Sequence, residues 1–124
     1  MIYVEKGVIN INRGDDGALT VPLKNLDKTN YTMDSNEYLI FGVREFPTED
    51  SELLLEIRSD LGSNIIVFNH DDTKDMEVGF YSAEVQLMTR DNKRITVWPK
   101  LSGSNRTSLK NRNNFCLMTE VVRT

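Results

Sequence analysis

Apolar and polar residues alternate along most of this chain with a period of two, and clusters of Gly, Asp, Asn and Pro interrupt the alternation at short intervals. Period two marks strands with one face in a core, and helical spacing is much scarcer here. The first strand expected is Val8-Ile9-Asn10-Ile11-Asn12, closed by Arg13-Gly14-Asp15-Asp16-Gly17. Ala18 to Leu23 follows as a second, so the Gly-Asp-Asp-Gly turn makes a hairpin or a corner. Asn25 to Asn36 is polar and irregular. Glu37 to Glu45, with Leu39-Ile40-Phe41 unbroken, suits a central strand that ends before Pro47.

Glu52 to Arg58 satisfies either template by periodicity. The turn-like Ser59 to Asn64 and the β-branched and aromatic Ile65-Ile66-Val67-Phe68 after it decide for a strand and a hairpin. In the acidic loop that follows, Asp72 or Thr73 is placed to cap one helical turn leading to a corner at Gly79. From Phe80 to Arg90, Tyr81, Ala83, Val85 and Leu87 share one face, while Ser82, Glu84 and Gln86, with Met88 as the exception, share the other. Asp91-Asn92 is a tight turn, and Lys93 to Trp98 returns with Ile95 and Val97 inward, up to Pro99. Phe115 to Val122 is the last strand.

The expected core is Ile9, Leu39, Phe41, Val43, Ile65, Val67, Tyr81, Val85, Leu87, Val97 and Leu117. The fold class is therefore all-β, an antiparallel β-sandwich of about eight strands with immunoglobulin-like or jelly-roll character. Tyr81, at the entrance of a strand after Gly79, has the placement of a tyrosine corner, whose hydroxyl bonds back to upstream backbone.

Length and composition narrow the class without supplying a chemistry. The 124 residues fit one domain, 1–124, and 39% apolar with 27% charged residues is ordinary for a globular protein. A net charge of −4 is too mild to argue for a nucleic-acid partner, and none is expected. No apolar run approaches the roughly 20 residues of a membrane helix, and the start lacks the basic and apolar regions of a secretory signal, so an unexported chain with no membrane partner is expected.

The single cysteine, Cys116, lies among Phe115, Leu117 and Met118 and reads as a small core residue. A nucleophilic role would need a base, and the one histidine, His70, stands in a loop. Position 83, where an antibody domain has its second cysteine two residues after the corner Tyr, is Ala83. Asp71, Asp72, Asp75 and Glu77 crowd one loop but lack calcium-loop spacing, and capping accounts for Asp72 and Thr73 without an ion. No catalytic, metal or cofactor residues are expected.

Residues 99–114 hold Lys100, Arg106, Lys110 and Arg112 with no acid, in a chain that is acidic overall. With Trp98 these residues form the expected partner-binding set, and an acidic protein suits them better than nucleic acid because no aromatics interleave the charges. Trp98 with Tyr3, Tyr31 or Tyr38 could instead form a sugar-stacking platform.

Assembled in order, Gly14-Asp15-Asp16-Gly17 with Leu19-Thr20-Val21, Leu39 to Arg44, Ile65 to Phe68, Asp72 to Met76, Gly79-Phe80-Tyr81 to Leu87, the Asp91-Asn92 turn and Thr96-Val97 resemble the N-terminal domain of phage baseplate upper proteins. These elements cover about three-quarters of the chain. The resemblance implies a β-sandwich building block of a phage or prophage tail, found in the virion and assembled in the bacterial cytoplasm. Such a block docks onto other tail or baseplate proteins or onto copies of itself, with no chemistry to transfer. Two departures stand out. The family's domain usually precedes a helical or fibrous receptor-binding part, whereas this sequence ends at Thr124, which implies a stand-alone version or a separately encoded fibre; and residues 99–114 exceed the short connection expected there. The competing reading is a carbohydrate-binding or cell-surface adhesion module.

Overall fold

Nine strands and one helical turn carry the alternation in the computed structural model, which describes residues 2–25, 27–46, 51–99 and 113–118. The elements are β1 (Ile2–Glu5), β2 (Val8–Asn12), β3 (Gly17–Thr20), β4 (Tyr38–Arg44), β5 (Leu53–Arg58), β6 (Ile65–Phe68), α1 (His70–Thr73), β7 (Gly79–Met88), β8 (Arg94–Trp98) and β9 (Phe115–Met118). The fold is all-β and sandwich-like, as the alternation predicts. One large sheet runs β1-β2-β9-β7-β4-β5 with β8 also on β7, and a two-stranded ribbon pairs β3 with β6. All pairs are antiparallel except β2 with β9, which makes the large sheet mixed.

The length of β7 turns this sheet into two layers. One edge of β7 pairs with β4 from Ser82 to Met88. The other edge is shared: β9 takes Gly79 to Tyr81, and β8 takes Val85 to Met88. Between them the buried Asn114 side chain accepts a hydrogen bond from Ala83 N at 2.6 Å and donates one to Ala83 O at 2.8 Å. An amide is the one side chain with a donor and an acceptor spaced like a peptide unit, so Asn114 continues the ladder where no strand does. The result is a first layer, β1-β2-β9 with the start of β7, and a second layer, β8-β7-β4-β5, joined along one strand. The β3–β6 ribbon lies near β1 on one side and near β5 on the other.

Each unit contributes one phenylalanine to the centre. Phe41 of β4, Phe68 of β6 and Phe115 of β9 are fully buried. Phe41 meets Phe68 edge-on with ring centroids 5.3 Å apart, and meets Phe115 in the same way at 5.9 Å. Edge-to-face contact places the positive rim of one ring on the negative face of another, which adds to the burial energy. Ile9, Ile11, Leu39, Val43, Val85 and Leu117 pack around this triangle. At the entrance of β7 the Tyr81 hydroxyl donates to Glu77 O, forming the expected corner.

Several sequence expectations need correction. Ile65 and Val67, placed in the core by alternation, are 40% and 50% exposed, while Ile66 and Phe68 are fully buried. With apolar residues at all four positions of β6, the period carries no phase, and pairing with β3 sets it. The expected hairpin between β5 and β6 does not form, because β5 pairs with β4 and the chain crosses to the ribbon.

The turn after β2 is a corner, with β2 and β3 in different sheets. Ile95 is half exposed although it lies opposite the buried Leu87, because β8 is an edge strand that pairs only with β7; beyond it the ladder shifts register at Val85/Gln86 and brings Trp98 opposite Val85. The strand expected over residues 18–23 ends at Thr20, although Val21 N still bonds Asn64 O. β1 escaped the sequence reading. Residues 119–122 of the last expected strand, and the Pro47 stop, lie outside the described residues.

Candidate interaction surface

The corner after β2 is fastened to α1 from both sides. The buried Thr73 hydroxyl accepts a hydrogen bond from Gly14 N at 2.8 Å, and Asp16 Oδ1 accepts one from His70 N at 2.7 Å. His70 Nδ1 lies 2.6 Å from Gly14 O. Gly14 has φ +80°, and a Cβ there would come 3.2 Å from Nδ1, so the corner admits glycine for both conformation and space. His70, the one histidine, is thus a structural clasp, and Cys116 sits on a different face.

The cap of α1 also differs from expectation. Asn69 is the N-cap residue, and Asp72 three positions on accepts a hydrogen bond from Asn69 N at 2.7 Å. Asp71 pairs with Lys74 at 3.1 Å, which raises the Lys74 pKa through that hydrogen bond and charge. Among the described residues no group of His, Cys, Asp and Glu side chains could hold a metal ion.

The aromatic residues proposed as a sugar platform are not brought together. Trp98 packs against the core opposite Val85, whereas Tyr38 lies on the outer face of β4 opposite Met88, beneath the Arg58 guanidinium at 5.6 Å. Tyr31 donates its hydroxyl to Glu37 Oε1 at 2.7 Å, a bond that raises the Tyr31 pKa, and Glu37 is itself buried. Tyr31 therefore anchors the irregular segment before β4. Lys100, Arg106, Lys110 and Arg112, the charged members of the expected partner-binding set, lie outside the described residues.

What the strand pairing does assemble is a row across the outer face of the first layer. Tyr3, Asn10, Cys116 and Phe80 are successive register partners on β1, β2, β9 and β7. Tyr3 is 40% and Phe80 59% exposed, and Val78, just before β7, is exposed beside them. On the same face lie Val8, Asn12 and Met118, with the Tyr3 hydroxyl 3.9 Å from Met118 Sδ. Glu5 is the only formal charge that the described strands put on this face.

The expectation that Cys116 belongs to the core is corrected here. Phe115 and Leu117 take the inner positions, so Cys116 faces outward and is half buried, and that burial pushes its thiol pKa up. The outer face of the second layer is different in kind. Arg44, Glu56, Arg58, Glu84 and Arg94 share it, with Glu56 paired to Arg58 at 3.1 Å.

The aromatic row was invisible in the sequence as a surface because its four residues come from four separate runs. A usable signal did exist: the outward positions of the runs at 2–5, 8–12 and 115–118 carry one charge between them. No family model, curated protein or solved structure matches the chain.

Proposed function

We propose that this chain is a non-enzymatic structural component of a phage or prophage tail or baseplate, acting through protein–protein assembly contacts. The observation that carries this reading is the outer face of the first layer. The described strands put one charge there, Glu5, together with Tyr3, Phe80 and Met118, whereas the outer face of the second layer is laced with charge. Depletion of charge with enrichment of aromatic and Met residues is the compositional mark of the centre of a protein–protein contact. The setting in a tail particle is supplied by the baseplate resemblance. Partners on this reading are other tail or baseplate proteins or further copies of the chain, and Trp98 with the basic stretch 99–114 offers a second, charge-dependent contact.

The test is the composition of particles. Tail particles purified from a strain that encodes the chain should contain it in multiple copies per particle by quantitative mass spectrometry. Particles that lack it, from cells that make it, would remove the reading.

A further inference from the structure

The surface row has a definite occupant. We infer that the outer face of β1, β2, β9 and the start of β7 binds the same face of a second copy of this chain, with Cys116 near the centre of the contact. This rests on the assembly reading and names its partner.

Charge decides between occupants. A contact between identical faces brings every formal charge toward its own kind, and like charges facing each other across a contact cost free energy. The outer face of the second layer, with Arg44, Arg58 and Arg94 against Glu56 and Glu84, would need an offset to avoid such repulsion. The first face avoids it when the contact is centred on β2 and β9, since Glu5, the one charge that the described strands put there, sits at the far end of an outermost strand. Its polar side chains, Asn10 and Asn12, each hold a donor and an acceptor, and so can pair with their own copies. A partner of strong charge would gain nothing from this surface.

Geometry fixes the place of Cys116 and the strength to expect. Two sheets packed face to face lie about 10 Å apart, with side chains meeting in between. Cys116 is on β9, an inner strand of the four, with Asn10 and Phe80 as its register neighbours. A two-fold axis in the plane of contact that crosses the middle of the row, between Asn10 and Cys116, therefore brings the two thiols close, whichever direction it takes. Four strands about 4.8 Å apart and about four residues long give on the order of 250 Å² per copy in plan. A standard interface uses ~800 Å² per partner. One such contact is weak alone and becomes useful where copies are held together, because tethering raises the effective concentration.

The probe is built into the chain, since Cys116 is its one cysteine. Purified protein is treated with a short bis-maleimide over a hundredfold range of concentration, at low and at high salt. The expected result is a covalent dimer whose yield rises with concentration and is not reduced by salt, because no exposed ion pair holds it. Phe80→Asp should lower that yield at least about tenfold by burying an unpaired carboxylate in the contact. Tyr3→Asp should act in the same direction, and Glu84→Arg on the other face should leave the yield unchanged. The inference is overturned if no dimer is trapped, if Phe80→Asp and Tyr3→Asp both cross-link like the parent chain, or if salt abolishes the dimer, which would assign the contact to charged residues. Any of these leaves the chain's presence in tail particles untouched, and absence from the particles leaves the cross-link untouched, so the two failures are separable.

Discussion

The two layers of this sandwich share a core and differ in what they show to the outside. Inward, both present continuous apolar rows that close on Phe41, Phe68 and Phe115. Outward, β4, β5, β7 and β8 present Arg44, Glu56, Arg58, Glu84 and Arg94, while β1, β2, β9 and the start of β7 present Tyr3, Asn10, Cys116, Met118 and Phe80. The charged face resists pairing of copies, as isolated β domains must. The other face, where the described strands put only Glu5, carries no such protection. Selection for stability alone would treat both outer faces alike, so their difference points to use and not to folding.

The comparison depends on the layers keeping their relative placement, and Asn114 holds the seam between them. Replacing Asn114 with Leu keeps the volume but leaves Ala83 N and O buried without partners. Each orphaned group costs about 1–3 kcal/mol, so a loss of about 3 kcal/mol is expected. The check is the shift in the denaturant midpoint at unchanged slope. A variant as stable as the parent would mean that the layers do not need the seam, and the outer faces could not then be treated as fixed surfaces.

Ile40 and Phe80 sharpen the contrast, because both are large apolar residues on outer faces. Ile40 is buried, lying between its register partners Arg58 and Gln86, whose long stems flank it. Ile40→Ala should therefore cost about 2 kcal/mol, the low end for a buried Ile, since flexible stems can partly fill the space. Phe80 is exposed, and Phe80→Ala should change stability by less than about 0.5 kcal/mol. Thermal or chemical unfolding of the two variants reads the difference directly. If Phe80→Ala cost as much as Ile40→Ala, Phe80 would be a fold residue and its place in a contact surface would lose its basis.

How much of this was legible in the sequence follows from where information is local. The strands at 8–12 and 79–88 and the Tyr81 corner declare themselves through alternation and flanking turn residues, whereas 38–44 is marked by its unbroken apolar run and 53–58 only by its neighbours. The phase of β6 does not, because Ile65-Ile66-Val67-Phe68 is apolar throughout and only its pairing with β3 decides which side is buried. The same limit explains the hairpin expected between β5 and β6, since turn chemistry marks a reversal but cannot say whether the chain returns to the same sheet. The interaction surface is the least local feature of all. Tyr3 and Cys116 are 113 positions apart by number and become neighbours only through β2, and the parallel pairing of β2 with β9 has no short-range signal.

The thiol of Cys116 gives the smallest and most local measurement of which way the first layer faces. Burial disfavours the charged thiolate, so the folded chain holds this proton more tightly than the unfolded chain does, raising the pKa above the ordinary 9.0. The sign follows: the stabilisation linked to this proton is present below the unfolded value and is lost as pH rises through the folded one. Reaction with a small disulfide reagent reports the thiolate, whose amount grows about tenfold per pH unit below the pKa. In the unfolded chain the rate should level off near pH 9.0, whereas in dilute folded protein it should keep climbing beyond that point. A half-buried thiol flanked by Asn10 and Phe80 should still react to completion, as a core cysteine would not. Complete resistance in dilute folded protein would place Cys116 inside the core and reverse the two faces of β9.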